Sequence, residues 1–337
     1  MKALVTGGGG FLGSHLVKAL LERGYNVTSF NRGHYPKITE LGAKEYRGDI
    51  QNYGEVKKAI EGKDVVFHVA GKVGVWGPYK DYFNINVIGT ENIIRACKEC
   101  GVKKLIFTSS PSVVFGKADI ENADESLPYP EDYVFHYGKT KAMAEKIVMQ
   151  ANGDDLATVS IRPHLIFGPG DQNLFPRVVK SARDGKLKIV GNGENLVDVI
   201  YVDNAVDAHL KAFDSLEING KTAGKTYFVG QEEPVKLWEL VNQILKSHGL
   251  EPLKKKIGVN SAYRIGALLE GAYKLFGIKN DPPMTRFIAM QLGKSHYFNH
   301  NNAKNDFNFT PTVDLETALK RTLPQRNDIR QENSYAH

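Results

Sequence analysis

Eight residues near the start of the chain, Thr6-Gly7-Gly8-Gly9-Gly10-Phe11-Leu12-Gly13, constrain the fold more than any other feature. They follow the apolar run Ala3-Leu4-Val5 and open a stretch of helical periodicity. A strand, a glycine turn and a helix in that order make a phosphate-binding corner. The glycines allow a tight turn and close backbone approach, and the helix N-terminus favours the negative charge of a pyrophosphate. The expected contacts are Gly7, Gly10, Phe11, Leu12 and Gly13. Two frames are open, Gly8-x-Gly10-x-x-Gly13 and Gly7-x-x-Gly10-x-x-Gly13, and spacing alone does not choose between them.

The rest of the first half suits such a corner. Short β-rich runs at 2–6, 26–31, 44–47, 64–68, 103–109 and 156–162 alternate with amphipathic stretches at 11–23, 53–61, 81–100 and 133–151. Runs such as Val65-Val66-Phe67 and Leu105-Ile106-Phe107 are apolar throughout, which predicts a parallel sheet covered by helices on both faces. The expectation is an α/β fold, a Rossmann-type doubly wound sheet over residues 1–163 with a smaller C-terminal substrate-binding region over 164–324. Within that region 196–202 reads as a strand and 203–216 as a helix returning to the first sheet. Residues 325–337 read as a polar tail. The apolar stretch 262–278 carries Arg264, Glu270 and Lys274 and is too short to span a bilayer, which takes about 20 apolar residues. It reads as an amphipathic helix that buries one face or covers an apolar pocket.

Composition excludes other classes. The chain has 337 residues, 42% hydrophobic and 24% charged, an ordinary balance for a globular protein. Two cysteines cannot form a disulfide framework, and with no secretory leader pattern at the start the expected location is cytoplasmic. Lys plus Arg exceed Asp plus Glu by 44 to 38, and the longest basic run is Lys254-Lys255-Lys256. That is a solvated basic face with a field favouring anionic ligands, not a nucleic-acid footprint. Cys97-Lys98-Glu99-Cys100 supplies two thiols where a structural zinc needs four ligands, so no metal is expected.

The end of the second predicted strand, Ser29-Phe30-Asn31-Arg32-Gly33, lacks the acid that would bind an adenosine ribose 2′-hydroxyl. A carboxylate there would repel a 2′-phosphate, whereas a guanidinium holds one in a forked contact. NADP(H) is therefore the preferred cofactor, with Arg32 as the 2′-phosphate contact, Asn31 also among the cofactor-binding residues and NAD(H) still compatible; the alternative for Arg32 is a solvated loop residue.

Tyr137 and Lys141 lie four apart in a predicted helix, so they share a face. A phenol with a pKa of about 10 needs a neighbouring cation to move toward neutrality, and Lys141 is placed to provide one. Tyr137 would then exchange a proton with a substrate oxygen. Thr108-Ser109-Ser110 ends an apolar strand, putting hydroxyls at the carboxyl edge where open α/β sheets bind ligands. Ser110 is the chosen hydroxyl for the substrate oxygen, with Ser109 and Ser112 left open.

Thr6-Gly7-x-x-Gly10-x-x-Gly13, Gly48-Asp49-Ile50, His68-Val69-Ala70-Gly71, Asn86-Val87-x-Gly89-Thr90, Ser109-Ser110, Tyr137-x-x-x-Lys141 and Arg162-Pro163 occur in the order found in extended short-chain dehydrogenases/reductases, the NAD-dependent epimerase/dehydratase superfamily, which the chain resembles over nearly its whole length. The resemblance implies Ser110, Tyr137 and Lys141 as catalytic residues, Asp49 and Ile50 beside adenine, and Ala70, Gly71, Thr108 and Pro163 along the cofactor. It also implies a homodimer.

Thr108-Ser109-Ser110-Pro111-Ser112-Val113-Val114-Phe115-Gly116 and Tyr201-Val202-Asp203-Asn204-Ala205 resemble the branch of 3β-hydroxysteroid and sterol-4α-carboxylate 3-dehydrogenases. Trp76-Gly77-x-Tyr79, Ala262-Tyr263-Arg264-Ile265-Gly266-Ala267 and Pro283-x-Thr285-Arg286-Phe287 are similar to bacterial 2-alkyl-3-oxoalkanoate reductases. That similarity implies NADPH-dependent reduction of a β-keto, lipid-derived acid with an apolar acyl chain. Trp76 and His164 are the candidate substrate contacts. The alternatives are a 3β-hydroxysteroid or sterol dehydrogenase, a nucleotide-sugar epimerase or dehydratase, and a non-catalytic redox sensor. Nucleotide-sugar enzymes typically carry an arginine where this chain has Val197, which disfavours a UDP-sugar.

Overall fold

The computed structural model describes residues 1–324, so the expected polar tail lies outside the described residues. Seven parallel strands form the main sheet: β1 (Lys2–Thr6), β2 (Asn26–Asn31), β3 (Lys44–Arg47), β4 (Val65–His68), β5 (Lys104–Thr108), β6 (Ala157–Pro163) and β7 (Lys225–Val229). Their order is β7-β6-β5-β4-β1-β2-β3. The order reverses between β1 and β4, and in open α/β sheets the ligand crevice lies outside the carboxyl ends at that switch.

Alternation along each strand feeds two cores. Ala3 and Val5 face helices α1 (Phe11–Glu22) and α5 (Val202–Ser215), while Leu4 and Val66 face α2 (Tyr53–Ile60), α3 (Gly89–Glu99) and α4 (His136–Gln150). Val65, Val66 and Phe67 are all fully buried, as a doubly covered sheet requires.

Four local readings differ from the expectation. The stretch 196–202 is not one strand: Leu196–Val197 pairs with Val235–Lys236 and His296–Phe298, whereas Ile200–Tyr201 pairs with Ile166–Phe167. The break falls at Asp198, whose buried carboxylate accepts from the Phe298 N–H (2.9 Å) and from His300 Nε2 (3.1 Å). The helix expected over 81–100 starts at Tyr79 and passes through a π turn, Asn84–Ile88, before α3. The helix expected from 133 starts at His136, because Phe135 is extended at φ −148°. Finally, β7 closes the sheet from a part of the chain where no sheet strand was expected.

The smaller region holds a four-stranded sheet that takes Ile120–Ala123 from the first half, and two helices, α6 (Val259–Leu275) and α7 (Arg286–Gly293), packed together. α6 buries Ala262, Gly266 and Glu270 and leaves Leu268, Leu275 and the following Phe276 exposed. No described helix is long and apolar enough to cross a membrane.

Candidate active site

The glycine turn is tight in both frames: a Cβ at Gly8 would lie 2.4 Å from Ser29 Oγ. Gly7 takes a positive φ of 70°, and a Cβ there would lie 2.9 Å from the Ala70 backbone, so only glycine lets the β1 and β4 loops approach. At Gly13 a Cβ would lie 2.1 Å from the Gly7 carbonyl. Gly10 is the extended N-cap of α1, where an added Cβ would meet only that same carbonyl. The first N–H groups of α1, at Phe11 and Leu12, have no partner within the helix, the arrangement that suits a phosphate.

Buried polar groups hold this corner. Thr6 Oγ1 accepts from the Ala70 N–H (3.1 Å) and meets His68 Nδ1 (2.7 Å), whose Nε2 meets Thr90 Oγ1 (3.0 Å). Burial, then the Lys141 charge, push His68 down to about 3, so the ring is a neutral strut. Asn31 Oδ1 accepts from the Gly9 N–H (2.9 Å), so this side chain fixes the turn from below. Next to it Arg32 is exposed, makes no ion pair or hydrogen bond with the described residues, and lines a cleft with Gln51, Gly71, Lys72, Asp81 and Ile85. Asp49 accepts from the Gln51 N–H (2.9 Å), and Ile50 packs against Gly89, where a Cβ would come within 2.6 Å of it. Pro163 ends β6 opposite Val229 of β7.

The hydroxyl groups converge at the ends of β5 and α4. Ser110 Oγ accepts from Ser112 N–H (3.2 Å) and Ser112 Oγ (2.9 Å), and its hydroxyl lies near enough to Tyr137 to favour the phenolate. Ser109 lies instead on the Glu145 side of the strand, its N–H donating to Ile161 O (2.7 Å). Tyr137 sits in the first turn of α4, where the helix dipole favours negative charge on the phenol oxygen. Lys141, one turn on, is buried, donates from Nζ to the Thr108 carbonyl (2.6 Å) and lies 4.0 Å from the Phe107 ring centre. Thr108 Oγ1 meets His209 Nε2 (2.8 Å).

The electrostatics differ from the expectation in one respect. Burial raises the Tyr137 pKa above its usual value, and the nearby Ser110 hydroxyl offsets that only in part. In the free chain Tyr137 is a protonated phenol, not a near-neutral acid. Burial pushes Lys141 down to about 7, against the upward pull of the Glu145 carboxylate.

The two substrate candidates lie apart. Trp76 is half-buried, donates from its indole to Ile278 O (3.3 Å) and meets Tyr273 edge-on at 6.1 Å, joining the loop after β4 to the end of α6. His164 is buried against His296 (2.7 Å between ring nitrogens) and Phe115 (5.6 Å between ring centres). Beside them Phe115, Phe135, Phe287 and Met290 line a narrow apolar crevice.

Sequence reading noted Asn86 of the π turn only as part of a motif and gave it no role. Its amide accepts from the Lys72 N–H (2.7 Å) and donates to Lys72 O (3.1 Å) and Thr140 Oγ1 (3.0 Å), tying the loop after β4 to α4 beside Tyr137. Glu145 was missed, although its spacing of four from Lys141 was there to be read. Among the described residues no group of three or more His, Cys, Asp or Glu is arranged to hold a metal.

A parallel sheet with a glycine turn at its switch point, and a Ser-Tyr-Lys group at its carboxyl edge, defines an NAD(P)-dependent oxidoreductase of the extended short-chain dehydrogenase/reductase type. The sequence model of the 3-beta hydroxysteroid dehydrogenase/isomerase family matches residues 4–258, and the chain belongs to that family. It is 46% identical over 324 residues to a 2-alkyl-3-oxoalkanoate reductase of Stenotrophomonas maltophilia, covering 95% of this chain and 98% of that one. To the decarboxylating sterol-4-alpha-carboxylate 3-dehydrogenase of Mus musculus it is 36% identical, covering 98% of this chain and 92% of the other. The fold matches UDP-glucuronic acid 4-epimerase from Bacillus cereus, solved with NAD, at a TM-score of 0.74 and 24% identity, over 98% of this chain and 99% of that one.

Proposed function

We propose that the chain is an NADPH-dependent reductase that converts a β-keto acid with an apolar chain, of the 2-alkyl-3-oxoalkanoate kind, to the β-hydroxy acid. The observation that carries this reading is the grouping of Ser110, Tyr137 and Lys141 at the ends of β5 and α4, on the sheet edge that also bears the glycine turn. The likeness to the reductase at 46% identity over almost the full length of both chains supports the substrate class.

The residues present fit a nicotinamide dinucleotide. Gly7, Gly10 and Gly13 leave a cradle that side chains would fill, and the N–H groups of Phe11 and Leu12 would meet its pyrophosphate. The 2′ end would lie at Arg32, a free cation with no carboxylate at the end of β2 to oppose a phosphate. Asp49, Ile50, Ala70, Gly71, Thr108 and Pro163 would border the rest. When bound, the cofactor supplies a hydride to the substrate carbonyl carbon. Ser110 and Tyr137 then hold the carbonyl oxygen as it gains charge, and Tyr137 passes its phenolic proton to that oxygen. A phenol kept protonated by burial is in the right state to donate. Lys141 favours the phenolate left behind and would hold the nicotinamide ribose. In this reading Trp76 and the crevice at Phe115 would border the acyl chain, and His164 would act through Phe115.

Oxidation of a 3β-hydroxysteroid or sterol is the second reading, favoured by the family match. A nucleotide sugar fits less well, since Val197 is fully buried where an arginine would meet the diphosphate. Purified protein should oxidise NADPH with 2-alkyl-3-oxo acids faster than NADH. Turnover only with steroid alcohols and NAD would replace this reading by the second.

A further inference from the structure

The most heavily bonded side chain near the site is one that the chemistry above does not use. Glu145 lies one turn beyond Lys141 on α4 and is fully buried. Its Oε1 accepts from Tyr129 OH (2.7 Å) and Arg162 Nη2 (2.6 Å), and its Oε2 from Ser160 Oγ (2.7 Å) and Arg162 Nε (3.0 Å). A carboxylate has about four lone-pair sites, and all four are occupied. Arg162 is itself 2% exposed, and its Nη1 has no acceptor.

A buried ion pair is poor as a stabilising device, because taking two charges out of water offsets most of their attraction. Its position suggests another role. Burial alone would favour the uncharged amine at Lys141. The titratable and charged groups facing that amine are few: Tyr137 and Glu145 on α4, and the neutral His68 on β4. Behind Glu145 stand Arg162 on β6 and Tyr129 from the loop before α4, and His209 on α5 reaches the neighbouring Thr108. Glu145 is thus the one negative charge directed at Lys141 from these elements. Because its lone pairs are filled, it attracts the ammonium through space without capturing it. Lys141 accordingly donates to the Thr108 carbonyl, and its other two hydrogens are not drawn toward Glu145.

We propose that Glu145, held ionised by Arg162, Tyr129 and Ser160, is a positioning residue that keeps Lys141 protonated beneath Tyr137 while leaving its ammonium free to act. Arg162 fixes the carboxylate, and among the charges acting on Lys141 it is Glu145 that pulls its ammonium toward the charged form. The inference rests on Lys141 having the role given above, but its test does not.

The test follows Lys141 directly, by NMR of the whole chain carrying ¹³Cε-lysine, the Lys141 signal being the one that Lys141→Met lacks. In Glu145→Gln its titration midpoint should fall by about one pH unit or more, the size expected for losing an opposite charge one helical turn away. In the double variant Glu145→Gln/Arg162→Gln, which leaves no buried charge unpaired, the midpoint should lie between those of Glu145→Gln and the parent. The double variant keeps the test alive if the single one does not fold. An unchanged midpoint in whichever variant folds overturns the proposal. A shifted midpoint in a protein that reduces no β-keto acid supports the proposal and overturns the functional reading instead. With turnover, the alkaline limb of the kcat profile should move with the midpoint, which a purely structural role would not do.

Discussion

Tyr137 shows how two local effects compete at one residue. Burial raises its pKa, while the first turn of α4 and the Ser110 hydroxyl favour charge on the same oxygen. Tyr137→Phe removes the proton and keeps the ring, so kcat should fall by about 10² to 10⁴ while NADPH affinity, followed by nicotinamide fluorescence, changes little. An equal loss of affinity would assign Tyr137 to binding alone. The Tyr137-Lys141 spacing was legible because two residues four apart on a helix must share a face. The state of the phenol was not, since its burial comes from chain distant in sequence. Likewise Ser109, Ser110 and Ser112 are alike as letters; only the turn Pro111–Val114, which Ser110 caps, gives them different surroundings.

At the scale of elements, the β1 turn and α1 were readable because glycine, strand and helix are contiguous. Their close fit yields a sharp expectation: Gly13→Ala would drive a methyl into the Gly7 carbonyl, forcing the turn open. NADPH affinity in a fluorescence titration should fall at least about tenfold, equivalent to about 1.4 kcal/mol; unchanged affinity would show that the turn is not the phosphate cradle. Elements that depend on distant partners were harder to read. β7 is five residues long and finds its place only by pairing with β6, more than sixty residues earlier. The run 196–202 looks continuous until the buried Asp198 commits the chain to Phe298 and His300. The π turn at Asn84–Ile88 has no marker in hydrophobic period, yet it carries the amide that ties the loop after β4 to α4.

Across the whole molecule, four imidazoles among the described residues are buried and pushed below their usual value: burial takes His68 to about 3 and His209 to about 4, puts His164 well below the usual range, and lowers His296. Below about pH 6.5 the unfolded chain takes up a proton at each before the folded chain does, so stability falls as pH falls. By pH 5 His68 and His209 should each have withdrawn roughly 2 kcal/mol, seen as a steep drop in the thermal midpoint between pH 7 and 5. A flat midpoint over that range would mean that the rings are not sealed from water. The chain also has two tryptophans of opposite character. Trp238 is 2% exposed and bonded to Leu292 O, deep in the smaller region. Trp76 hangs on one hydrogen bond to Ile278 at the rim. A loop that lets go of Ile278 wets one indole and leaves the other dry, so emission colour reports the loop's position without any added dye.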